Sequence, residues 1–361
     1  MPSFMWVILK REFKNYLRNP ILWIGMVVVI LGVYQDVSPG LQVHYFQSQE
    51  ELDNLEKVIP SDADIWDGYI PASEDKQMEL GYAEIKRQLI EAMEFSEEDA
   101  QKVIDEIQKA DMTISEVDTY MEENYSYYNA KYSFEDAAVY KGTKDEVNSY
   151  IREKMEEKPF SFYFSRKFAD FGGLYMGFFA AVMLAFLYIR DTRKDIYELL
   201  HTKPISAGAY VAGKAAGGFL SMLAVLGVMN LIFGVLCWTV GNNAGLPVRF
   251  WDIAAASVMY IVPNLMMITS VYTVVAVIFK NPLPGVPLLF LYMLYSNMGS
   301  IGIDGEWGYY GRALAIMVRF PGSFLETSPP PMVWMNQIFL VIASALLLLL
   351  AAAIWKKRRV Y

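Results

Sequence analysis

The chain has 361 residues, 54% of them hydrophobic and only 20% charged, with a net charge of −9. That balance is too apolar for an ordinary soluble domain, and the acidic sign is the opposite of what a nucleic-acid binder needs. A single cysteine, Cys237, with only His44 and His201, excludes an intrachain disulfide and a zinc-type ligand cluster.

The charge is unevenly placed. Residues 37–168 hold 30 acidic and 14 basic residues, a net of −16, while the rest of the chain holds 10 and 17, a net of +7. An acidic, soluble segment is therefore set into a weakly basic and very apolar remainder.

At the N-terminus, FMWVILKREFKNYLRNP (residues 4–20) places Trp6, Leu9, Phe13 and Tyr16 near one helical face and Lys10, Lys14 and Arg18 on another. Residues 1–18 are expected to form an interfacial amphipathic helix on the membrane lipids, anchored by Trp6, Lys10, Arg11, Lys14 and Arg18. The Asn19-Pro20 step favours a break after it. Charge-free runs follow at 19–35, 171–189, 215–248, 253–279, 281–303 and 327–355, each approaching or exceeding the roughly 20 residues that a membrane-crossing helix needs. The first, within a segment 19–36, reads as an uncleaved span, because no small-residue cleavage site follows it.

Between the first two runs, residues 37–168 read as a mostly helical domain. Ser96 with Asp99 and Thr143 with Glu146 resemble capping boxes, Leu80, Ile85 and Leu89 show helical spacing, and residues 37–72 are open to short strands. FKNPLPGVP, 279–287, reads as a tight turn before a kinked helix start. Residues 302–331 place Leu314, Met317 and Val318 at helical spacing, either a short re-entrant or interfacial helix or a plain folded loop.

Basic residues set the expected orientation. Fourteen lie before the first run, between the second and third, between the fourth and fifth, or after the sixth; the short loops on the other side carry Arg249, Arg312 and Arg319. The positive-inside rule puts both termini in the cytoplasm and 37–168 outside. The fold expected is an all-α polytopic membrane protein with six transmembrane helices, residues 169–361 supplying the second to the sixth, and a mostly helical extracytoplasmic domain between the first two.

The six runs contain no Asp, Glu, Lys, Arg or His, whereas ion-driven transporters need ionisable groups at membrane depth. Asn230, Asn264 and Asn336 read as packing glue between helices, and no H-E-x-x-H or equivalent pair suggests a membrane-embedded hydrolase. If the chain moves something, the energy comes from elsewhere.

Residues 190–214, RDTRKDIYELLHTKPISAGAYVAGK, form the largest loop on the expected cytoplasmic side. Ile196, Leu199 and Leu200 make a short apolar stripe flanked by Arg193, Lys194, Asp195 and Glu198, Pro204 ends that helix and Ser206 caps the next, with Tyr210 an interface anchor. Such a stripe suits either docking of a soluble partner or a helix lying on lipid.

The order of parts resembles the permease subunits of ABC type-2 exporters, in the branch with a large extracytoplasmic domain after the first span. Arg190-Asp191, Glu198-Leu199-Leu200, Thr202, Pro204-Ile205-Ser206 and Gly213-Lys214 are similar to that family's loop between its second and third spans, although Ile196-Tyr197 stands where Gly-Thr is frequent. The resemblance implies a coupling helix (Arg193, Lys194, Asp195, Glu198, Leu199, Leu200, Lys203, Pro204) that inserts into an ATP-binding subunit. It implies two such ATPase subunits holding ATP and Mg, a second permease, identical or paralogous, no cofactor and no catalysis in this chain, and a bacterial plasma membrane. A peptide, lipid or drug-like substrate would move outward or be extracted from the bilayer. A non-transporting sensor or scaffold with a ligand-binding acidic outer domain is the alternative.

The same loop ends in a near-miss of the phosphate-binding motif, Gly208-x4-Gly213-Lys214, with Ala215 where the Ser or Thr hydroxyl belongs. Gly213, Gly217 and Gly218 are instead expected to let the third span pack closely against a neighbour, and Lys214 to mark where it leaves the headgroups.

Overall fold

The computed structural model describes residues 4–56, 58–189, 191, 200, 205–301, 307–309 and 311–358. Its contacts divide the chain into two units, residues 43–156, and residues 1–42 together with 157–361.

The N-terminal part of the larger unit is two helices, α1 (Phe4–Leu17) and α2 (Pro20–Val37). They part where the sequence dictates: Pro20 takes the first helical position, where no N–H is needed, and the Asn19 side chain accepts from the Ile21 amide.

The smaller unit is helical, with α3 (Gln49–Asp53), α4 (Glu74–Glu91), α5 (Glu97–Lys109), α6 (Ile114–Tyr125), α7 (Lys131–Asp136) and α8 (Lys144–Glu157). Ser96 caps α5 through the Asp99 amide. Thr143 and Glu146 bond reciprocally at the start of α8, and Thr113 with Glu116 form a further capping box on α6. The core joins Ile85 and Leu89 of α4, Val103, Ile104 and Ile107 of α5, Val117 and Met121 of α6, and Phe134 of α7. Gly81 is required there, since a Cβ would lie 2.2 Å from the Phe134 ring. A short strand, β1 (Tyr69–Pro71), pairs antiparallel with β2 (Val139–Lys141). The Asn148 amide bonds both the N–H and the C=O of Phe46, each at 2.9 Å, and so stands in for a strand partner.

The larger unit continues with α9 (Phe160–Met183), α10 (Ala185–Ile189), α11 (Ala207–Asn243), α12 (Asp252–Phe279), α13 (Gly285–Asn297) and α14 (Val333–Lys357). Among the described residues, four helices are long and apolar enough to cross a membrane: Pro20–Gln42, α11, α12 and α14. The helix α9 begins well before the charge-free run at 171 and so carries Arg166, Lys167 and Asp170. The run 281–303 folds as a helix of only 13 residues, α13, about 20 Å long at 1.5 Å per residue, against a hydrocarbon thickness of about 30 Å. A proline-rich turn precedes it, with Lys280 closing α12 in the left-handed conformation.

Inside α12, residues Ser257–Ile261 form a π-turn just before Pro263. Proline withholds an amide and clashes with the preceding turn, and the wider π-turn accommodates it. The Asn264 side chain donates to the Tyr260 carbonyl, which satisfies backbone within its own helix. Asn230 behaves as interhelical glue, accepting from Ser257 at 2.6 Å, and Asn336 donates to the Ala315 carbonyl at 2.9 Å.

The helical spacing at Leu314, Met317 and Val318 does not make a helix. Residues 311–332 are extended and turned, with Leu314 at φ +59°, and Ala315, Ile316, Met317, Val318, Phe320, Phe324 and Leu325 are buried. Side chains of α9 and α13 hold the backbone in that form. Tyr292 donates to Leu314 C=O, Tyr295 to Ala313 C=O, and Ser296 accepts from Ile316 N–H. Each bond satisfies a main-chain group that helix formation would otherwise have used.

Candidate functional site

Where α1 lies along the N-terminal half of α11, the two helices touch backbone to backbone. A Cβ on Gly213 would meet the Met5 carbonyl at 2.9 Å, and one on Gly217 would meet Glu12 Cβ at 2.6 Å. The neighbour that the glycines admit is therefore α1. The face of α1 that packs there is Ile8, Leu9 and Glu12. Tyr16, on the next turn, is buried and donates to the Met183 carbonyl at the end of α9, one of that helix's orphan acceptors.

This close approach closes over Lys214. The residue is 2% exposed, and its Nζ lies 2.8 Å from Asp191 Oδ2 and 3.1 Å from Glu12 Oε1. The Tyr188 ring lies 5.5 Å from the ammonium, and the Tyr188 hydroxyl donates to Thr273 of α12. Tyr210 donates to the same Asp191 oxygen at 2.6 Å and stacks on Trp355 of α14 at 4.1 Å. One ammonium and two carboxylates thus sit at a junction of α1, α10, α11, α12 and α14. Such a charge is tolerated in a dry place only when it is paired and hydrogen-bonded, as here. Lys214 is a buried ion-pair partner, and Tyr210, expected as an interface anchor, is a buried donor.

A second buried ion pair lies thirteen residues before Met183 on α9, about 20 Å along the helix. Asp170 is 4% exposed and accepts from the Arg319 guanidinium and from the Phe320 amide at 2.9 Å. Arg319 also donates to Asn297 at the end of α13 and sits over the Tyr309 ring. On the preceding turn Arg166 donates to the Thr327 carbonyl, and Lys167 to those of Phe320 and Gly322. One turn of α9 thereby clamps the irregular 318–327 backbone.

Of the expected coupling residues, Arg193, Lys194, Asp195, Glu198, Leu199, Lys203 and Pro204 lie outside the described residues; Leu200 is described and half-buried. Ser206 caps α11 through the Ala209 amide, so that helix starts eight residues before the charge-free run. The anchoring residues Trp6, Lys10, Arg11, Lys14 and Arg18 are all exposed. Trp6 is on the face of Lys10, whose ammonium lies 5.1 Å from its ring, rather than on the buried face of Tyr16. Sequence reasoning passed over Glu12, Tyr188 and Asp170, and read Asp191 as part of the loop motif rather than as the partner of Lys214. Glu12 had a legible signal, being the one acidic residue among the first 35.

The family described as ABC-2 family transporter protein matches residues 6–308. The chain belongs to that family. As an ABC-2 transporter protein it is a multi-pass membrane permease subunit, and the members of this family are not themselves ATPases but imply an ABC ATP-binding partner subunit. The match takes in α11, all but the first two residues of α1, and Glu12, Asp191, Tyr210 and Lys214 of the junction, and ends before α14. No curated protein and no solved structure matches the chain.

Proposed function

We propose that the chain is the permease of an ATP-driven exporter, in which a separate ATPase subunit docks on residues 190–214 and drives outward transport or membrane extraction of an apolar or amphipathic substrate. The observation that carries the reading is the family match over residues 6–308, which takes in the loop with its apolar stripe. The absence of ionisable residues from the long apolar runs supports an external energy source.

In this reading both termini are cytoplasmic, six segments cross the bilayer, with α9 and α13 joining the four long helices, and residues 43–156 lie outside. ATP and Mg are bound in two copies of the partner, and a second permease, identical or paralogous, completes the translocation path. The short α13 and the buried irregular segment after it suit a membrane location, because non-helical backbone is tolerated there only when it is covered by protein.

The test is affinity purification of the tagged full-length chain from its native membrane, with identification of the co-eluting subunits and measurement of ATP turnover. A stoichiometric ATP-binding subunit whose co-elution is lost on replacing Leu199-Leu200 with two aspartates is the expected result. A chain that elutes with no ATP-hydrolysing partner would count against it.

A further inference from the structure

We infer that Lys214 is a positioning residue that ties the N-terminal helix α1 to the start of the 190–204 loop, so that a movement of the loop is passed to α1. The inference rests on the docking role proposed for that loop.

The geometry has three parts. First, Lys214 has partners on two separate segments. Glu12 comes from the middle of α1 and Asp191 from the second position of the loop, and each contributes a carboxylate oxygen within 3.1 Å of the same ammonium. Neither segment holds the cation alone. Second, the arrangement is enclosed: the Lys214 side chain is 3% exposed and those of Glu12 and Asp191 14% and 19%. Screening by salt and water is weak there, so separating the pairs is costly and the groups tend to move together. Third, the rest of α1 that faces α11 is seated on Gly213 and Gly217, where backbone meets backbone. The apolar contacts of that seam, Ile8 on Gly213 and Glu12 Cβ on Gly217, are short-ranged, and Glu12 on Lys214 adds a polar peg to the register of one helix on the other.

Asp191 is also held by the Tyr210 hydroxyl, one turn before Lys214 on α11, and Tyr210 is stacked on Trp355. A pull on the loop therefore reaches α11 and α14 through Asp191 and α1 through Lys214. The arm to α1 is the one that a single substitution removes cleanly. Glu12→Gln deletes that carboxylate while Lys214 keeps Asp191, so the cation is not stranded and the helices stay packed.

The experiment uses the complex as purified from the native membrane with its ATPase subunit. Hydrogen exchange is followed in residues 4–17 and 185–191, without nucleotide and with Mg-ATP plus orthovanadate. In the unchanged chain both segments are expected to change protection on adding nucleotide. In Glu12→Gln the change in 185–191 persists, while that in 4–17 falls about three- to tenfold, the scale of a lost coupling contact. Asp191→Asn weakens both, and Lys214→Arg, which keeps the charge, restores most of the α1 response.

An equal nucleotide response of 4–17 in Glu12→Gln and in the unchanged chain overturns the inference, as does a lowered melting temperature with that response intact, which would make the contact structural only. A nucleotide response in neither segment of the unchanged complex overturns it too. Failure of any ATPase subunit to co-elute with the unchanged chain defeats the docking reading itself, which is a separate outcome.

Discussion

The two buried ionic centres of the larger unit are built on opposite plans. At Lys214 a cation on a long regular helix is met by carboxylates from α1 and from residue 191 and by the Tyr188 ring. At Asp170 the partners include main-chain groups: the carboxylate takes a backbone amide, and Arg166 and Lys167 beside it donate to backbone carbonyls. The first joins elements that are already folded. The second replaces the hydrogen bonds that residues 318–327 would have made to themselves as a helix. A contact among finished helices can be cut with little loss of local structure, whereas a clamp on irregular backbone is part of the fold.

The largest effect is therefore expected at the clamp. Asp170→Ala strands Arg319 and leaves the Phe320 amide unpaired, at a cost of about 3–5 kcal/mol for the broken buried pair. It should lower the unfolding midpoint in lipid nanodiscs and sharply raise amide exchange across 313–327. Unchanged exchange there would erase the distinction between the two centres.

Lys214→Met comes next, at about 3 kcal/mol, because it leaves two carboxylates facing each other while Tyr210 still serves one of them. The double variant Lys214→Met/Glu12→Gln should recover part of that loss, since it removes one of the stranded charges; a double-mutant cycle on the unfolding midpoint gives the coupling directly. Gly217→Ala should cost about 1–3 kcal/mol by overpacking, because its methyl would press on Glu12 Cβ. The same change at Gly234, where nothing lies within 4 Å, should be close to neutral in the same assay and so marks the seam as local to α1. In the other unit Thr143→Ala should cost about 1 kcal/mol for a lost cap, read as raised exchange over the first turn of α8.

How much of this was legible depended on whether the cause was local. The break at Asn19-Pro20, the caps at Ser96, Thr143 and Ser206, and the turn at 279–285 are set by residues within one turn of the feature, and each appears where its residue types place it. The segment 311–332 stayed open between a short helix and a folded loop because its shape is imposed from outside, by side chains of α9 and α13. Asp170 and the pairing of Lys214 with Asp191 escaped because these charges sit just beyond the edges of charge-free runs, where a window search stops counting. Helices extend past those windows, so charges at the edges are packed into buried pairs. The glycines beside Lys214 pointed to a close neighbour, and only the fold shows that this neighbour is the N-terminal helix.

The proposed docking of a separate ATPase subunit on residues 190–214 can be caught in place. A photo-crosslinking amino acid placed at Leu199 in the full-length chain, activated in native membranes, tests it most directly. One crosslinked species containing an ATP-binding subunit is expected, absent when the same probe is placed at Leu349 on the exposed face of α14. Crosslinks from Leu199 to lipid alone would contradict it.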